Sequence, residues 1–250
     1  MILCHHGVSA SWPTEFAIDP SRLESQLRFL LRRGYRPLTL GAALAPPRTG
    51  KALVVTFDDA YRSVLNRGFP VLAKLGVPAT VFVPTAYAGS QEPMAWSGME
   101  SWLGTPFEPE LECMSWDELR GLRDAGWEIG SHSRTHRDLA TLPDAELEAE
   151  LRGSREECEA EIGRSCRALA YPFSSFDARV KQAAAAAGYE SALILDSKVA
   201  IPRRTMPLLA GPAADPMELL RTGVYRGDGW LRFLAKTSLA IRRIRARLAR

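Results

Sequence analysis

The sequence predicts a single α/β domain built on parallel strands. Its 250 residues, 24% charged and 46% hydrophobic, suit one domain of this size. Short β-rich segments alternate with segments of helical period, and no internal repeat or linker divides the chain. Repeated β-then-α units imply parallel strands joined by right-handed crossovers. This pattern fits either a doubly wound sheet or a barrel.

The first third of the chain already shows the alternation. Strands are predicted at residues 2–6, 52–57 and 79–83, with helices over about 21–33 and up to residue 76. Leucines recur on one face of the first helix, and Gly34 stands where a C-cap is expected. The segment 79–83 shows no polar alternation, which is typical of a strand buried on both faces.

After an irregular excursion over about 91–114, rich in Pro, Gly, Trp and Glu, the alternation resumes. Ser115 is a plausible N-cap for the next helix, which Gly126 ends. The predicted helices cover about 116–125, 143–162 and 180–187, and the predicted strands cover 127–132, 167–171 and 191–195. The α/β pattern therefore extends to residue 195.

The C-terminal residues differ from the rest of the chain. Residues 231–250 hold seven basic residues and no acidic one, so the net charge of +3 belongs to this tail. We predict a domain over 1–228 followed by a basic amphipathic helix over 229–250. This helix either packs its apolar stripe on the domain or contacts an anionic membrane surface. Nucleic acid is not an expected partner, because no other basic patch or aromatic platform supports it.

Two features bear on the compartment. The chain as written enters a strand directly, without the basic and apolar regions of a secretory signal, and no apolar run is long enough to span a membrane. We therefore expect a cytoplasmic protein, with association at the inner face of the membrane as a further expectation. The four cysteines (Cys4, Cys113, Cys158 and Cys166) have no CxxC spacing, which predicts reduced thiols.

Two segments that follow strands carry potential metal ligands. Asp58 and Asp59 are adjacent carboxylates, which are costly to bury together unless a cation or a proton separates their roles. His132 and His136 are four residues apart, and imidazole with carboxylate suits zinc or another first-row divalent ion. Each segment alone is a weak signal, and the aspartate pair alone is more typical of a surface turn.

Together, however, these segments predict one site. The chain has four histidines, and all fall in two clusters. Asp59, His132 and His136 would form a three-ligand site with open positions for water and substrate, as in hydrolytic metal centres. Successive residues of a strand face opposite sides, so Asp58 and Asp59 can serve one centre only if the strand ends or turns there.

Three motifs resemble the polysaccharide deacetylases that share the NodB homology domain, carbohydrate esterase family 4. Residues 56–61 (TFDDAY) look like the TFDDGY motif, residues 131–136 (SHSRTH) match SHSxTH, and residues 170–173 (AYPF) are similar to YPYG. The resemblance covers about residues 1–210. It implies an α/β fold of one deformed (β/α) barrel of the NodB type and hydrolysis of an acetyl group at a divalent metal. Zinc is the expected ion, with cobalt, nickel and iron as alternatives.

The resemblance also implies a role for each matching position. Asp58 resembles the general base, and Asp59, His132 and His136 resemble the metal ligands. The backbone N–H of Tyr171 would help to bind the developing oxyanion.

In this chain the general acid is expected at the N-terminus or is absent. No histidine follows His136, so the later Leu-x-His motif of many family members has no counterpart. The poly-N-acetylglucosamine deacetylase-like branch resembles the chain better, because its first strand ends in a Tyr-His pair. This alignment predicts His6 as the acid, with His5 as the alternative. A third interpretation is that both are core histidines.

Three further positions depart from the family pattern. Ala170 replaces the arginine that commonly opens the third motif, so we expect Arg203, or alternatively Arg204, to face Asp58. Ala60 replaces a glycine, which predicts ordinary backbone angles at that position. Ser174 replaces another glycine, so a changed loop is expected beside the substrate.

We therefore predict a hydrolase that removes N-acetyl groups from an amino-sugar polysaccharide or from a glycolipid or glycan biosynthetic intermediate. One alternative is a glycan-binding pseudoenzyme, which the intact set of four site residues disfavours. Another is a metal-dependent amidohydrolase of a small substrate, for which a closed pocket would be typical. The sequence carries no signal for an oligomeric state.

Overall fold

The strands are short apolar segments, as expected of parallel strands covered by helices. The computed structural model describes residues 1–46, 50–195 and 215–238. Its strands are β1 (Ile2–His5), β2 (Gly7–Val8), β3 (Ala17–Ile18), β4 (Tyr35–Leu38), β5 (Lys51–Phe57), β6 (Ala79–Val83), β7 (Glu128–Ser131), β8 (Ala168–Ala170), β9 (Ser191–Leu195) and β10 (Leu219–Gly223). Both β6 and β9 are buried at every residue, which explains their unbroken apolar sequences.

Seven of these strands close into a parallel barrel. Their order is β1-β10-β9-β8-β7-β6-β5, and β5 pairs with β1 to complete the ring. The first half of β5 pairs with β4 and its second half with β1. The short strands β2 and β3 form a separate parallel pair. The barrel resolves the choice between the two parallel architectures and confirms the fold that the family resemblance implies.

The helices lie between successive strands and cover the barrel. They are α1 (Pro20–Arg32), α2 (Leu40–Leu44), α3 (Phe69–Lys74), α4 (Trp116–Asp124), α5 (Asp144–Glu148), α6 (Ser154–Ile162), α7 (Ala178–Ala186) and α8 (Trp230–Thr237). There are also two five-residue π-helical segments. One, Val64–Gly68, precedes α3, and the other, Ala149–Gly153, joins α5 to α6. The N-cap predicted at Ser115 is confirmed, since its hydroxyl and Glu118 form a complete capping box.

Sequence patterns found most of these elements but missed five. The predicted strands 79–83 and 191–195 have the observed bounds. In contrast, β2, β3, β4, α2 and β10 were not predicted. The last omission matters most, because β10 lies between β9 and β1 and closes the barrel. Its apolar pattern is interrupted by a charged residue, Arg221.

The predicted site segments that the structure describes, which exclude Arg203 and Arg204, begin at one end of the barrel. His6 follows β1, Asp58 follows β5, His132 follows β7 and Tyr171 follows β8. These are the carboxyl ends of parallel strands, where barrel proteins build their active sites. We call this end the mouth of the barrel.

Two further features are the C-terminal helix and the four cysteines. α8 begins at Trp230 and buries Phe233, while residues 239–250 lie outside the described part of the chain. Membrane contact by the basic tail therefore stays a prediction. Among the described residues, no helix has the length and apolar character needed to cross a membrane. All four cysteines are buried and unpaired, as predicted.

Candidate active site

The two aspartates reach the mouth because the chain turns sharply after β5. The strand ends at Phe57, and Asp59 and Ala60 have φ angles of 68° and 51°. The condition that both carboxylates serve one centre is thereby met. The prediction of ordinary backbone angles at Ala60 is wrong. This buried residue is held in the left-handed region, where its carbonyl accepts the Met114 N–H at 2.9 Å.

Left-handed backbone without glycine is concentrated at this site. In the described residues, six non-glycine positions have positive φ: Asp59, Ala60, Ser133, His136, Phe173 and Ser174. They form three pairs, one in each loop that carries a motif. Each such conformation costs about 1–3 kcal/mol and persists only where its surroundings fix it. The three loops are therefore held in strained shapes around one centre.

Asp59, His132 and His136 converge as predicted. Their ligand atoms lie within 4.8 Å of one another, and each imidazole Nε2 is 3.4 Å from Asp59 Oδ1. All three side chains are buried, yet Asp59 Oδ1 has no hydrogen-bond partner. One carboxylate oxygen and two imidazole nitrogens that face each other without hydrogen bonding fit a first-row divalent cation.

The charges in this group favour an ionised carboxylate. Burial raises the pKa of Asp59, but the His132 and His136 imidazoles lower it by more than burial raises it. The pKa of Asp59 is therefore well below its usual range. Burial lowers the pKa of His132, whereas Asp58 and Asp59 raise it, and the net pKa is raised. The pKa of His136 is lowered, chiefly by burial. A negative oxygen therefore faces the two imidazoles.

The two histidines are held by different means. His132 Nδ1 donates to the Ala170 carbonyl at 2.7 Å, which leaves Nε2 free to bind a cation. His136 Nδ1 has no hydrogen-bond partner in the part of the chain that the structure describes. Instead, its ring stacks on Trp96 with a centroid distance of 3.8 Å and meets the edge of Phe173 at 4.7 Å. Trp96 lies in the irregular segment predicted over about 91–114. The sequence did not indicate that this segment contributes to the site.

Asp58 is paired with a buried arginine, Arg221. Its two carboxylate oxygens accept from Nη1 and Nη2 of Arg221 at 2.5 and 2.7 Å. Arg221 also donates to Thr56 Oγ1 at 3.2 Å and lies over the Phe82 ring. Burial raises the pKa of Asp58, but Arg221 and His132 lower it to about 2. Asp58 is therefore ionised at neutral pH.

The sequence did not identify Arg221. Arg203 and Arg204, which were expected to face Asp58, lie outside the described residues. The sequence nevertheless held a signal for this role, because Arg221 interrupts an apolar strand and a buried arginine needs a carboxylate partner. Recognising β10 as a strand would have exposed that requirement.

His6 and His5 occupy different environments, as successive residues of a strand do. His6 lines the cavity at the mouth, and one ring nitrogen lies within 4.8 Å of an Asp58 oxygen. His5 is buried against Phe57, and neither of its ring nitrogens has a partner. Burial and the neighbouring His6 lower the pKa of His5 to about 3. Of the two, His6 is the one that faces the cavity.

The role predicted for the backbone of Tyr171 is wrong. Its N–H donates to the Leu193 carbonyl at 3.2 Å and so belongs to the pairing of β8 with β9. The Tyr171 hydroxyl donates to the Met217 carbonyl at 3.3 Å, although the ring still lines the cavity. Two residues later, the backbone N–H of Phe173 has no hydrogen-bond partner among the described residues.

One cavity of about 470 Å³ contains the whole arrangement. Asp58, Asp59, His132 and His136 lie among its lining residues, as does His6. Aromatic and apolar side chains provide much of the wall: Phe16, Tyr61, Trp96, Met99, Tyr171, Phe173, Leu195 and Tyr225. Such a cavity suits a ligand with an apolar face and a few polar groups.

A (β/α) barrel with an Asp-His-His group beside an ionised aspartate has the architecture of a hydrolase. Residues 45–192 match the family model for polysaccharide deacetylase, and the chain belongs to that family.

Individual relatives agree with this assignment. The chain is 22% identical over 200 residues to a poly-beta-1,6-N-acetyl-D-glucosamine N-deacetylase of Staphylococcus aureus, covering 75% of this chain and 64% of that enzyme. It spans 62 to 64% of the length of the curated relatives that it matches first.

Solved structures show the same fold. The polysaccharide deacetylase BC0361 from Bacillus cereus has a TM-score of 0.73 at 22% identity, over 95% of this chain and 68% of that one. IcaB from Ammonifex degensii has a TM-score of 0.71 at 24% identity, over 94% and 95% of the two chains.

Proposed function

We propose that the protein is an N-deacetylase of acetylated amino-sugar polysaccharides, or of a glycolipid or glycan biosynthetic intermediate. The observation that carries this proposal is the juxtaposition, in one cavity, of an arginine-bound ionised Asp58 with the Asp59-His132-His136 group. Family membership and the names of the relatives support the same reaction.

In this reaction Asp58 is the base. Arg221 holds both carboxylate oxygens and keeps them ionised, so Asp58 can accept a proton from a water molecule as that water attacks the acetyl carbon. The carbon–nitrogen bond then breaks, and the nitrogen leaves as an amine after it takes a proton from His6. The products are acetate and the free amino sugar.

Asp59, His132 and His136 would hold a divalent cation, for which we propose zinc, with cobalt, nickel and iron as alternatives. Such a cation supplies positive charge for the acetyl carbonyl oxygen. The hydrogen bond from His132 to the Ala170 carbonyl fixes the tautomer that this role needs.

The backbone N–H of Phe173 replaces that of Tyr171 as the proposed oxyanion donor. It belongs to a strained loop at the cavity, with φ of 56°, and the Phe173 ring contacts His136. A donor held in a fixed direction stabilises the charge that develops on the carbonyl oxygen without further rearrangement.

The aromatic wall supports a sugar substrate. Phe16 and Tyr225 lie against one another, and Trp96 and Phe173 both contact His136. Apolar sugar faces pack on such rings, while the acetamido group supplies the polar contacts.

The test is acetate release from a panel of acetylated glycans and small amides. The full chain is assayed as purified, after chelation, and after re-addition of zinc, cobalt, nickel or iron. We expect release from N-acetylglucosamine polymers that chelation abolishes and one of these metals restores. Release from small amides alone would contradict the substrate proposal, and release that survives complete chelation would contradict the metal site.

A further inference from the structure

The loop that carries the two histidines is anchored by a buried acidic residue, Glu150. This residue is 5% exposed and belongs to the π-helical segment between α5 and α6. Such segments interrupt the regular α-helical register and occur frequently at functional sites. Glu150 carries no role in the proposed hydrolysis.

Its carboxylate accepts three hydrogen bonds from two adjacent residues. The Arg134 and Thr135 backbone N–H groups both donate to Glu150 Oε2, each at 2.9 Å. The Thr135 hydroxyl donates to the other oxygen, Oε1, in a short hydrogen bond. The residues immediately before His136 are thus tied to a single side chain.

The loop needs this anchor because its conformation is strained. Ser133 and His136 both have left-handed backbone angles, with φ of 63° and 58°. The Ser133 hydroxyl accepts the His136 N–H at 3.1 Å, and Arg134 and Thr135 span the interval between these two strained residues. Without Glu150, the backbone N–H groups of Arg134 and Thr135 would lose their partner, which destabilises this loop conformation if they stay buried.

We propose that Glu150 is a positioning residue for the metal centre, an inference that rests on the proposed function. It fixes the backbone of residues 134–135 and thereby the place of the His136 ring relative to His132 and Asp59. His136 depends on this more than His132 does, because its Nδ1 has no hydrogen bond to orient the ring. Residues that orient ligands in this way typically change metal affinity 10- to 100-fold when they are removed.

The experiment compares the full-length wild type with Glu150→Ala and Glu150→Gln. Zinc affinity is measured by competition with a chelator, and the cobalt(II) absorption spectrum reports the geometry of the ligands. For Glu150→Ala we expect about a 10- to 100-fold weaker zinc affinity and an altered cobalt spectrum. For Glu150→Gln we expect recovery to near wild type, because the amide oxygen can accept both N–H groups while its NH₂ group donates to the Thr135 hydroxyl.

Glu157→Gln is the matched control. Glu157 accepts from the exposed Arg134 side chain, at 2.8 Å from Nε, and from the Thr85 hydroxyl, but among the described residues it accepts no backbone N–H of this loop. Its replacement should leave zinc affinity and the cobalt spectrum unchanged. Thr135→Val removes one hydroxyl contact and gives a milder test if Glu150→Ala does not fold.

A purely structural role predicts a different result. In that case Glu150→Ala would lower the thermal unfolding temperature of the metal-free protein but bind zinc as tightly as the wild type. Wild-type affinity in both Glu150→Ala and Thr135→Val would overturn the inference. A wild type that binds metal but releases no acetate would overturn only the proposed function, whereas a wild type that binds no metal would overturn both.

Discussion

The two ends of the barrel produce left-handed backbone by different means. At the amino ends of the strands, helices connect to strands through glycines such as Gly76 and Gly126, with φ of 63° and 90°. Glycine adopts these angles without steric cost. At the mouth, the same region of backbone space is occupied by Asp59, Ser133 and His136 among others. Among the described residues, non-glycine residues adopt left-handed angles only in the three motif loops at the mouth, where Gly98, with φ of 93°, also lines the cavity.

The carboxylates at the two ends of the barrel also differ. Glu128, at the start of β7, accepts the Gly41 N–H at 2.7 Å and the Thr80 hydroxyl at 3.3 Å. Asp59 Oδ1 has no such partner within the described residues. The chain itself satisfies Glu128 at the amino end and Asp58 at the mouth, whereas Asp59 Oδ1 has no hydrogen-bond donor among the described residues. This difference predicts opposite consequences for substitutions at the two ends.

The largest effect is expected at Asp59. Asp59→Ala or His136→Ala should abolish stoichiometric metal binding and lower acetate release by about 10³-fold or more, because the cation contributes several kcal/mol to transition-state stabilisation. Metal content and acetate release are measured on the same preparations, with circular dichroism as the control for folding. Full metal occupancy in either variant would refute the assigned ligand set.

The next effect is expected from the buried pair of Asp58 and Arg221. Arg221→Met leaves a buried carboxylate without its partner, which should cost about 3–5 kcal/mol of unfolding free energy at neutral pH. In the wild type, the folded pKa of Asp58 is about 2, below the value of about 3.9 for an unfolded chain. The pair therefore stabilises the fold above pH 4, and this contribution is lost as pH falls from about 4 to 2.

Denaturant unfolding between pH 3 and 8 tests this expectation. In Arg221→Met, burial is no longer offset by the guanidinium, so the pKa of Asp58 should rise. The destabilisation should then shrink as the pH is lowered and the carboxyl group becomes protonated. If the loss of unfolding free energy in Arg221→Met were the same at every pH, the pair would contribute through packing rather than through charge.

His6 is expected to act in the reaction but not in metal binding, so its replacement distinguishes the two roles of the residues at the mouth. His6→Ala should lower kcat by about 10²-fold, the range for loss of a general acid, while metal occupancy stays unchanged. His5→Ala is the matched control, since His5 is buried away from the cavity beside Phe57. Acetate release and metal content are measured for both. If only His5→Ala lowered kcat, the predicted register of the first strand would be wrong.

The sequence predicted which residues meet at the mouth better than it predicted their supporting contacts. Asp58, Asp59, His132 and His136 occur in short motifs at strand ends, so spacing and residue type were sufficient to place them. Arg221 and Trp96 are distant in sequence from the residues that they contact. Their roles depend on closure of the barrel and on the path of an irregular segment, neither of which is a local pattern.

Backbone conformation and backbone hydrogen bonding at the site were also poorly predicted from the sequence. The substitution of alanine for glycine at position 60 predicted ordinary angles, whereas the packed excursion holds Ala60 at φ of 51°. Similarly, the third motif placed Tyr171 at the cavity but did not show that its N–H is used in the sheet. Tertiary hydrogen bonds decided both cases, and they cannot be read from a single segment.

The smallest effect is expected at the opposite end, from Glu128→Gln. Burial raises the pKa of Glu128, and its hydrogen-bond donors offset this only in part. A carboxyl group with a raised folded pKa loses stability as pH rises, because the unfolded chain releases the proton more readily. Glu128→Gln should therefore be at least as stable as the wild type at pH 8, and the two should converge near pH 4, where Glu128 is protonated. Thermal unfolding at both pH values checks this, and acetate release should be unchanged; a loss of activity would mean that the two ends of the barrel are not independent.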